Sequence, residues 1–475
     1  MSSWPPSHVW QGQGMPLSPA YAPVPPYPPA PRPTPPPAPL SVYIAWFLII
    51  LATLTIILMG YFSQRKTQTK IAADEIQIEM VSRYSVGYKQ LVSGITAMPA
   101  GAASQLVMSV KAQAQTPVNQ IRAIPVIGEL EGNEAAAKAA QDFLDTNPPA
   151  SLHRDASLLL QLYRHGTTSL SIADQQLLVD RYEWFGRLAV AHDAPPTDPH
   201  RLAVYAQARK TLLGLIGMVG VGGAMLLTGL VVFVLLSVKF FLGTLPPKFT
   251  LAQPHVADLL VEGLAVWLCM FPVLQIFFAL IGPPANFASN FLIVLPFVAA
   301  LLWLRTRGLG WGQLGAAVGW ERGRGIVREM FAGLTAYIAG LPLLVLATIV
   351  TVILTNYSHA NASHPIVREI QTPGWTRVEL FFLACVFAPI TEEFLFRGLL
   401  LSHLRLRLSW FSSALIVSFI FAAIHPQGWT TIPVLGTIAM VLASVREQRG
   451  SLIAPITAHA LNNFMALLIF VLLLG

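Results

Sequence analysis

Adjacent carboxylates interrupt an apolar stretch near the C-terminal end of the sequence. Glu392 and Glu393 are followed by Arg397, which is four residues beyond Glu393, so this pair can share a helix face and form an ion pair. Glu392 lies about 100° away around the helix, which leaves its carboxylate free to act as a general base. A pair of snorkelling side chains at a helix end is the alternative, but apolar residues continue on both sides.

Two imidazoles and an amide follow in the next two apolar segments. His425 shares a helix face with Phe421 and directly precedes Pro426, which predicts that the helix ends there and that the ring can project into a cavity. His459 and Asn463 are four residues apart and share a face of the last segment. Taken alone, His425 would fit an interfacial histidine, and only the combination with the glutamates indicates catalysis.

This combination of residue types predicts peptide hydrolysis. Glu392 would deprotonate a water molecule, and Glu393 with Arg397 would hold the helix and position Glu392. His459 with Asn463 would stabilise the developing oxyanion.

A zinc site is the alternative use of the same side chains. His425, His459 and Glu392 would give the three-ligand open site that activates a bound water. The spacing does not decide between the two mechanisms. The sequence lacks the HExxH pair, the Gly-x-Ser-Gly site and the Gly-x-Gly-Asp pair of other intramembrane proteases.

The composition requires lipid around the elements that position these residues. Of 475 residues, 54% are hydrophobic and 11% are charged, whereas globular chains carry about 25% charged residues. A span needs about 20 apolar residues, and the sequence predicts an all-α, multi-pass helical bundle with nine spans. The predicted spans are 41–62, 211–242, 256–282, 287–305, 331–356, 378–402, 409–425, 429–446 and 453–474.

The chain divides into five predicted parts. Residues 1–40 hold fifteen of the 37 prolines and predict a disordered tail, either a solvated tether or a ligand for a proline-recognising partner. After the first span at 41–62, residues 63–210 carry most of the acidic groups and predict a small inserted soluble domain. Helical spacing there is clearest at 133–146, 156–165 and 172–192. An extra span with a linker, 211–249, leads to the catalytic region, 250–475.

The distribution of positive charge predicts the topology. Connections 304–330, 403–408 and 446–449 contain arginines, whereas those near 283–286 and 426–428 contain neither Lys nor Arg. The positive-inside rule places the arginines and the N-terminal tail in the cytoplasm, and the 63–210 domain outside. Arg65, Lys66 and Lys70 oppose this, but long loops cross largely regardless of charge.

Other function classes find little support in the composition. The net charge of +7 is not gathered into a basic face with aromatic residues, which argues against nucleic-acid binding. Two cysteines exclude a disulfide framework or a cysteine-rich zinc module.

The ordered motifs Glu392-Glu393-xxx-Arg397, Phe421-xxx-His425 and His459-xxx-Asn463 resemble those of the CPBP family. This family comprises CAAX prenyl proteases and bacteriocin-processing enzymes, also called Abi proteins, and the resemblance covers roughly residues 250–475. It implies a helical intramembrane endopeptidase with its site in a cavity within the bilayer, acting on membrane-associated or CAAX-type substrates. It also implies that Glu392, His425, His459 and Asn463 are catalytic, and it leaves the use of a metal open. The compact membrane core with its proline-rich tail favours a location in a prokaryotic cell membrane.

Two other readings compete with a protease. A proton-coupled transporter would also use an intramembrane Glu, His and Arg set, but it predicts broken helices in both halves, and the ionisable cluster occurs only in the C-terminal part. A non-proteolytic scaffold would have lost a motif, and none is lost.

The depths of Glu392 and His425 in the predicted spans differ. At the rise of an α-helix, Glu392 lies roughly 15 Å from the cytoplasmic end of its own helix, whereas His425 lies roughly 24 Å from the cytoplasmic end of the 409–425 helix. The 409–425 helix must therefore tilt or begin deeper.

Overall fold

The described part of the chain is helical throughout. The computed structural model describes residues 37–64, 68–281, 294–358 and 374–474, and these ranges contain no strand. The predicted all-α class is therefore confirmed. Most of the proline-rich tail and the connection near 283–286 lie outside the described residues.

The first helix and a group of shorter helices precede the main membrane region. Helix α1 is Leu40–Gln64, and its buried face packs on the later helix α10. The predicted soluble domain begins with α2, α3 and α4, which are Gln68–Ser93, Ala102–Gln113 and Pro117–Glu131. It continues with α5, α6, α7 and α8, which are Asn133–Leu144, Ala150–His165, Ile172–Tyr182 and Trp184–Val190.

The helix predicted over 172–192 is broken in two at Glu183. Its φ is 50°, and the chain turns there between α7 and α8. The turn brings Gly186 against the backbone of Leu178, so close that a Cβ on Gly186 would lie 2.1 Å from the Leu178 carbonyl oxygen. Trp184 and Leu178 are fully buried in the core of this domain. Hydrophobic periodicity alone does not reveal such a turn because both halves keep helical spacing.

Helix α9, Pro199–Phe241, joins the soluble domain to the membrane region. Asp198 Oδ1 accepts hydrogen bonds from the backbone N–H groups of His200 and Arg201 and caps its start. Val204 and Ala208 are buried in the core of the soluble domain. The 43 residues of α9 span about 65 Å at the helical rise per residue. The predicted boundary at residue 210 thus falls inside one continuous helix.

The remaining helices form the membrane region. They are α10 Pro254–Ile281, α11 Val294–Thr306, α12 Trp311–Val318, α13 Ile326–Ser358, α14 over 375–405, α15 Trp410–Ala423, α16 Ile432–Arg449 and α17 Ile453–Leu474. Among the described residues, five helices are long and apolar enough to cross a membrane, namely α1, α9, α10, α13 and the segment Trp429–Arg449. Three shorter apolar helices accompany them, within α11, α15 and α17. The protein is a multi-pass helical membrane protein, as the composition predicts.

Helix α14 lies in the middle of this bundle. Phe396, Leu399 and Leu400 are fully buried in the same core cluster as residues of α1, α10 and α15. Trp46 of α1 donates a hydrogen bond to His403 of α14 over 3.2 Å. The polar residues of α14 are therefore held inside a packed bundle.

Ion pairs tie the helices together at the arginine-rich end. They join Arg307 to Glu262, Arg407 to Asp258, Arg405 to Glu447 and Arg449 to Glu329, each at 2.7–2.8 Å. Just beyond α9, the backbone N–H of Lys248 donates to the Glu447 carbonyl oxygen at 2.9 Å. The soluble domain contacts the start of α9, so it and the arginine-rich end lie at opposite ends of that helix. Which end faces the cytoplasm stays a prediction.

Candidate functional site

Helix α14 carries the two glutamates and is not a regular α-helix. Two π-helical segments, Leu383–Phe387 and Phe394–Leu400, flank the α-helical segment Ala388–Glu393. Pro389 explains the first of them, because proline has no N–H and its ring clashes with the carbonyl group four residues earlier in an α-helix. A wider turn relieves this clash, and π-segments are frequent at functional sites.

Glu393 is the centre of a buried hydrogen-bonded cluster. Its Oε1 accepts a hydrogen bond of 2.8 Å from Arg397 Nη1 and lies 2.9 Å from His459 Nδ1. Glu393 and Arg397 are fully buried, and His459 is 5% exposed. The second guanidinium nitrogen, Arg397 Nη2, donates to the Ala439 carbonyl oxygen of α16 at 3.0 Å. One carboxylate thus joins α14, α16 and α17.

Glu392 has a different environment from its neighbour. Its Oε2 lies 3.8 Å from His459 Nε2, which is beyond hydrogen-bond distance. This oxygen is buried and accepts no hydrogen bond from the described residues. The side chain of Glu392 is 23% exposed, whereas that of Glu393 is not exposed. Glu393 Oε2 also accepts no hydrogen bond from the described residues, so it is the exposure that makes Glu392 the carboxylate able to contact another molecule.

The ring of Phe421 separates His425 from the rest of the cluster. Its centre is 4.4 Å from that of His425, 6.0 Å from that of His459 and 4.8 Å from Arg397 Cζ. Helix α15 ends at Ala423, so His425 lies in the following turn, and its Nδ1 is 2.5 Å from the Phe421 carbonyl oxygen. Glu392 and His459 are both near enough to act on His425 electrostatically.

Asn463 contacts the backbone of α14. Its Nδ2 donates to the Ala384 carbonyl oxygen at 2.8 Å, and its Oδ1 accepts from Asn462 at 3.3 Å. In the π-segment, the N–H of Ala388 bonds to the Leu383 carbonyl oxygen, five residues earlier. The next donor in this register would be residue 389, which is proline, so the Ala384 carbonyl oxygen has no helical donor. The Asn463 amide supplies the missing bond.

Both imidazoles are oriented by oxygen atoms on their Nδ1 side. A backbone carbonyl oxygen can only accept, so His425 carries its proton on Nδ1 when neutral, and the Glu393 carboxylate favours the same tautomer in His459. The two Nε2 atoms and Glu392 Oε2 thus remain available. Holding Nδ1 in this way is also typical of metal-bound histidines. In the described ranges, however, no three His, Cys, Asp or Glu side chains lie close enough together to hold a metal ion.

Two backbone acceptors of this site do not follow from the sequence motifs. These are the carbonyl groups of Ala384 and Ala439, which fix Asn463 and Arg397. Pro389 within an apolar segment does indicate that a carbonyl group nearby lacks its donor. Nothing in the sequence indicates which side chain replaces the donor.

Comparison with known proteins agrees with the motifs. Residues 374–465 match the family described as type II CAAX prenyl endopeptidase Rce1-like. This range is shorter than the 250–475 expected from the motifs, but it contains all six candidate residues from Glu392 to Asn463.

One curated relative is an uncharacterised 24.3 kDa protein from Escherichia coli. It is 33% identical over 87 residues, which is 18% of this chain and 40% of the relative, so the chain covers less than half of that protein. No solved structure matches the chain significantly. The resemblance indicated by the motifs is confirmed for the C-terminal region, which is similar to the Rce1-like type II CAAX prenyl endopeptidases.

Proposed function

We propose that this protein is an intramembrane endopeptidase that hydrolyses a peptide bond in membrane-associated, CAAX-type substrates. The observation that carries the proposal is the contrast between two adjacent carboxylates. Each glutamate has an Oε2 that accepts no hydrogen bond from the described residues. Glu393, however, is fully buried and is held through Oε1 by Arg397 and His459, whereas Glu392 is partly exposed beside the same histidine. The family match over this region supports the same reaction class.

In this proposal Glu392 is the general base. It takes a proton from a water molecule, and the resulting hydroxide attacks the scissile carbonyl carbon. When the C–N bond of the tetrahedral intermediate then breaks, the leaving amine takes up that proton. His459 can receive or return a proton at Nε2, because Glu393 lies on its Nδ1 side and Nε2 faces Glu392. The side chains of His459 and Asn463 donate hydrogen bonds that stabilise the tetrahedral oxyanion. The amide of Asn463 has one hydrogen beyond the one that it gives to Ala384.

Zinc coordination is not built into this reaction sequence. The free Nε2 atoms of His425 and His459 and the free oxygen of Glu392 have the right chemistry, but the described side chains do not meet as a three-ligand cluster. Each step of the proposed reaction is therefore assigned to side chains alone. The experiment below also tests whether cleavage depends on a metal ion.

The experiment uses the full chain reconstituted in lipid vesicles and a fluorogenic peptide with a C-terminal CAAX sequence, farnesylated or not. We expect Glu392→Gln to lower the cleavage rate by about 10²–10⁴-fold, the usual contribution of a general base. His459→Ala should lower it comparably. Glu134→Gln, an exposed position in α5, is the matched carboxylate-to-amide control and should cleave like the parent.

Two outcomes would change the proposal. Cleavage by Glu392→Gln at the parental rate would contradict the role of this residue as the base. Loss of parental cleavage with a chelator, restored by Zn²⁺, would replace the metal-free reaction by the zinc alternative. A transporter or a scaffold would cleave neither peptide.

A further inference from the structure

Three exposed arginines, Arg322, Arg324 and Arg328, form no ion pair with a described carboxylate. By contrast, Arg307, Arg405, Arg407 and Arg449 at the arginine-rich end are each paired with an acidic side chain. The nearby Glu329 is already bound by Arg449 through two hydrogen bonds of 2.7 Å. With the exposed Glu321 on the same segment, residues 320–328 contain three arginines against one glutamate and so keep an excess of positive charge.

These arginines surround a depression at the start of α13. It has a volume of about 380 Å³. Its lining consists of Arg322, Arg324, Gly325, Ile326, Val327 and Arg328. Partial burial, together with the positive charges of Arg324 and Arg449, lowers the pKa of the adjacent Lys248. Cations are thus crowded around a concave surface, which favours an anionic ligand.

Apolar side chains adjoin the same depression. Ile326, Val327 and Phe331 are 50%, 64% and 63% exposed, and Trp320 is 53% exposed. They lie at the start of α13, a helix long and apolar enough to cross the membrane, so they are at the level where headgroups meet acyl chains. A soluble phosphate compound has no apolar chains to pack against these exposed side chains, whereas a phospholipid would contact them with its acyl chains.

We propose that the loop formed by residues 320–328 binds the phosphate group of an anionic phospholipid. Guanidinium groups bind phosphate oxygens in bidentate fashion, and basic pockets beside spanning helices attract anionic headgroups. Arg322, Arg324 and Arg328 hold the phosphate, and Ile326, Val327 and Phe331 contact the acyl chains. This binding does not depend on the proposed peptidase activity.

The loop is also connected to both helices of the candidate site. The N–H of Leu452 donates to the Gly319 carbonyl oxygen at 2.9 Å, and Ser451 Oγ donates to that of Glu321 at 2.6 Å. These residues directly precede α17, which carries His459. The rings of Trp320 and Phe394 are 6.3 Å apart, and Phe394 follows Glu393 on α14. A lipid bound to the loop therefore stabilises the junction from which both helices extend.

The test measures lipid binding directly. The full chain in detergent micelles is mixed with equal amounts of phosphatidylglycerol and phosphatidylcholine, and the retained lipids are counted by native mass spectrometry. We expect the parent to prefer phosphatidylglycerol by about tenfold or more, since each basic group near an anionic lipid contributes several-fold. The triple variant R322Q/R324Q/R328Q should lose this preference to within about twofold.

Two further variants make the result specific. R322K/R324K/R328K keeps the charges and should keep most of the preference, which also shows that the loop tolerates substitution. K111Q/K138Q/R164Q removes three exposed charges from the soluble domain and should behave like the parent. An unchanged preference in the glutamine loop variant would overturn the proposal. Displacement of the lipid by equimolar inorganic phosphate would overturn it too, because the ligand would then be a soluble anion.

Discussion

At the scale of single residues, the site depends on the unequal environments of two neighbouring glutamates. Glu393 balances the charge of Arg397 in a location without solvent and also orients His459. Glu392 is one residue away, is partly exposed and accepts no hydrogen bond through Oε2 from the described side chains. The same side chain type thus occupies a fully buried, ion-paired position and a partly exposed one.

This difference predicts opposite effects on stability and activity. Glu393→Gln leaves the buried Arg397 without a countercharge, which costs about 3–5 kcal/mol when a buried pair is broken. We expect a large fall in the thermal unfolding temperature of the reconstituted protein. The free energy of unfolding of Glu392→Gln should lie within about 0.5 kcal/mol of the parental value, as it does for most substitutions that break no buried pair. Equal destabilisation by the two variants would contradict the assignment of Glu393 as the structural carboxylate.

At the scale of the element, α14 has an irregular backbone, and a side chain of α17 supplies a hydrogen bond that α14 itself lacks. Pro389 removes the donor for the Ala384 carbonyl group, and Asn463 of α17 replaces it. The first π-segment and α17 are therefore dependent on each other. Because Asn463 is one turn beyond His459, this bond also fixes the height of the histidine relative to the glutamates.

A double-mutant cycle tests this dependence. Asn463→Ala in the parent leaves the partly buried Ala384 carbonyl oxygen without a donor, which costs about 1 kcal/mol. Pro389→Ala restores an N–H at the position that can bond to Ala384, so the same asparagine substitution should cost less in that background. We expect a coupling free energy of at least about 0.5 kcal/mol between the two positions, measured by thermal unfolding. Additive effects would show that the amide is not a substitute for the missing donor.

At the scale of the whole molecule, α9 separates the soluble domain from the arginine-rich end. The domain packs on the first turns of α9, and the chain after α9 is bonded to α16 beside the ion pairs. A protease site between these ends would be reached by a substrate from within the membrane or from one of its faces. The positive-inside rule assigns the arginine-rich face to the cytoplasm.

Cysteine labelling tests this topology in intact cells. In a background with both native cysteines replaced by serine, Lys138→Cys reports on the soluble domain and Thr306→Cys on the arginine-rich end. We expect a membrane-impermeant maleimide to label the cysteine at 138 in intact cells and the one at 306 only after permeabilisation. Labelling of both in intact cells would contradict the separation of the two ends, and the reverse pattern would contradict the assignment of the cytoplasmic face.

Much of the molecule follows from local sequence patterns. The scarcity of charge predicts the membrane bundle, and the spacing of Glu393 with Arg397 predicts their ion pair, since both depend on residues near one another in the chain. The acidic groups and helical periodicity of residues 63–210 likewise predict a separate helical unit, but they do not predict the turn at Glu183. These features require only hydrophobic partitioning and the geometry of one helix.

Other features were decided only when the helices packed. The spacing already separates Glu393, which pairs with Arg397, from Glu392, but only the packing of α17 brings His459 into a hydrogen bond with Glu393. Packing also decides the bond from Asn463 to Ala384, which are 79 residues apart in the chain. Within the described residues it likewise leaves Arg322, Arg324 and Arg328 without an ion pair, because the nearby Glu329 is bound by Arg449. Hydrogen bonds between distant segments depend on how side chains from several helices compete for the same atoms, and local spacing carries no information about that competition.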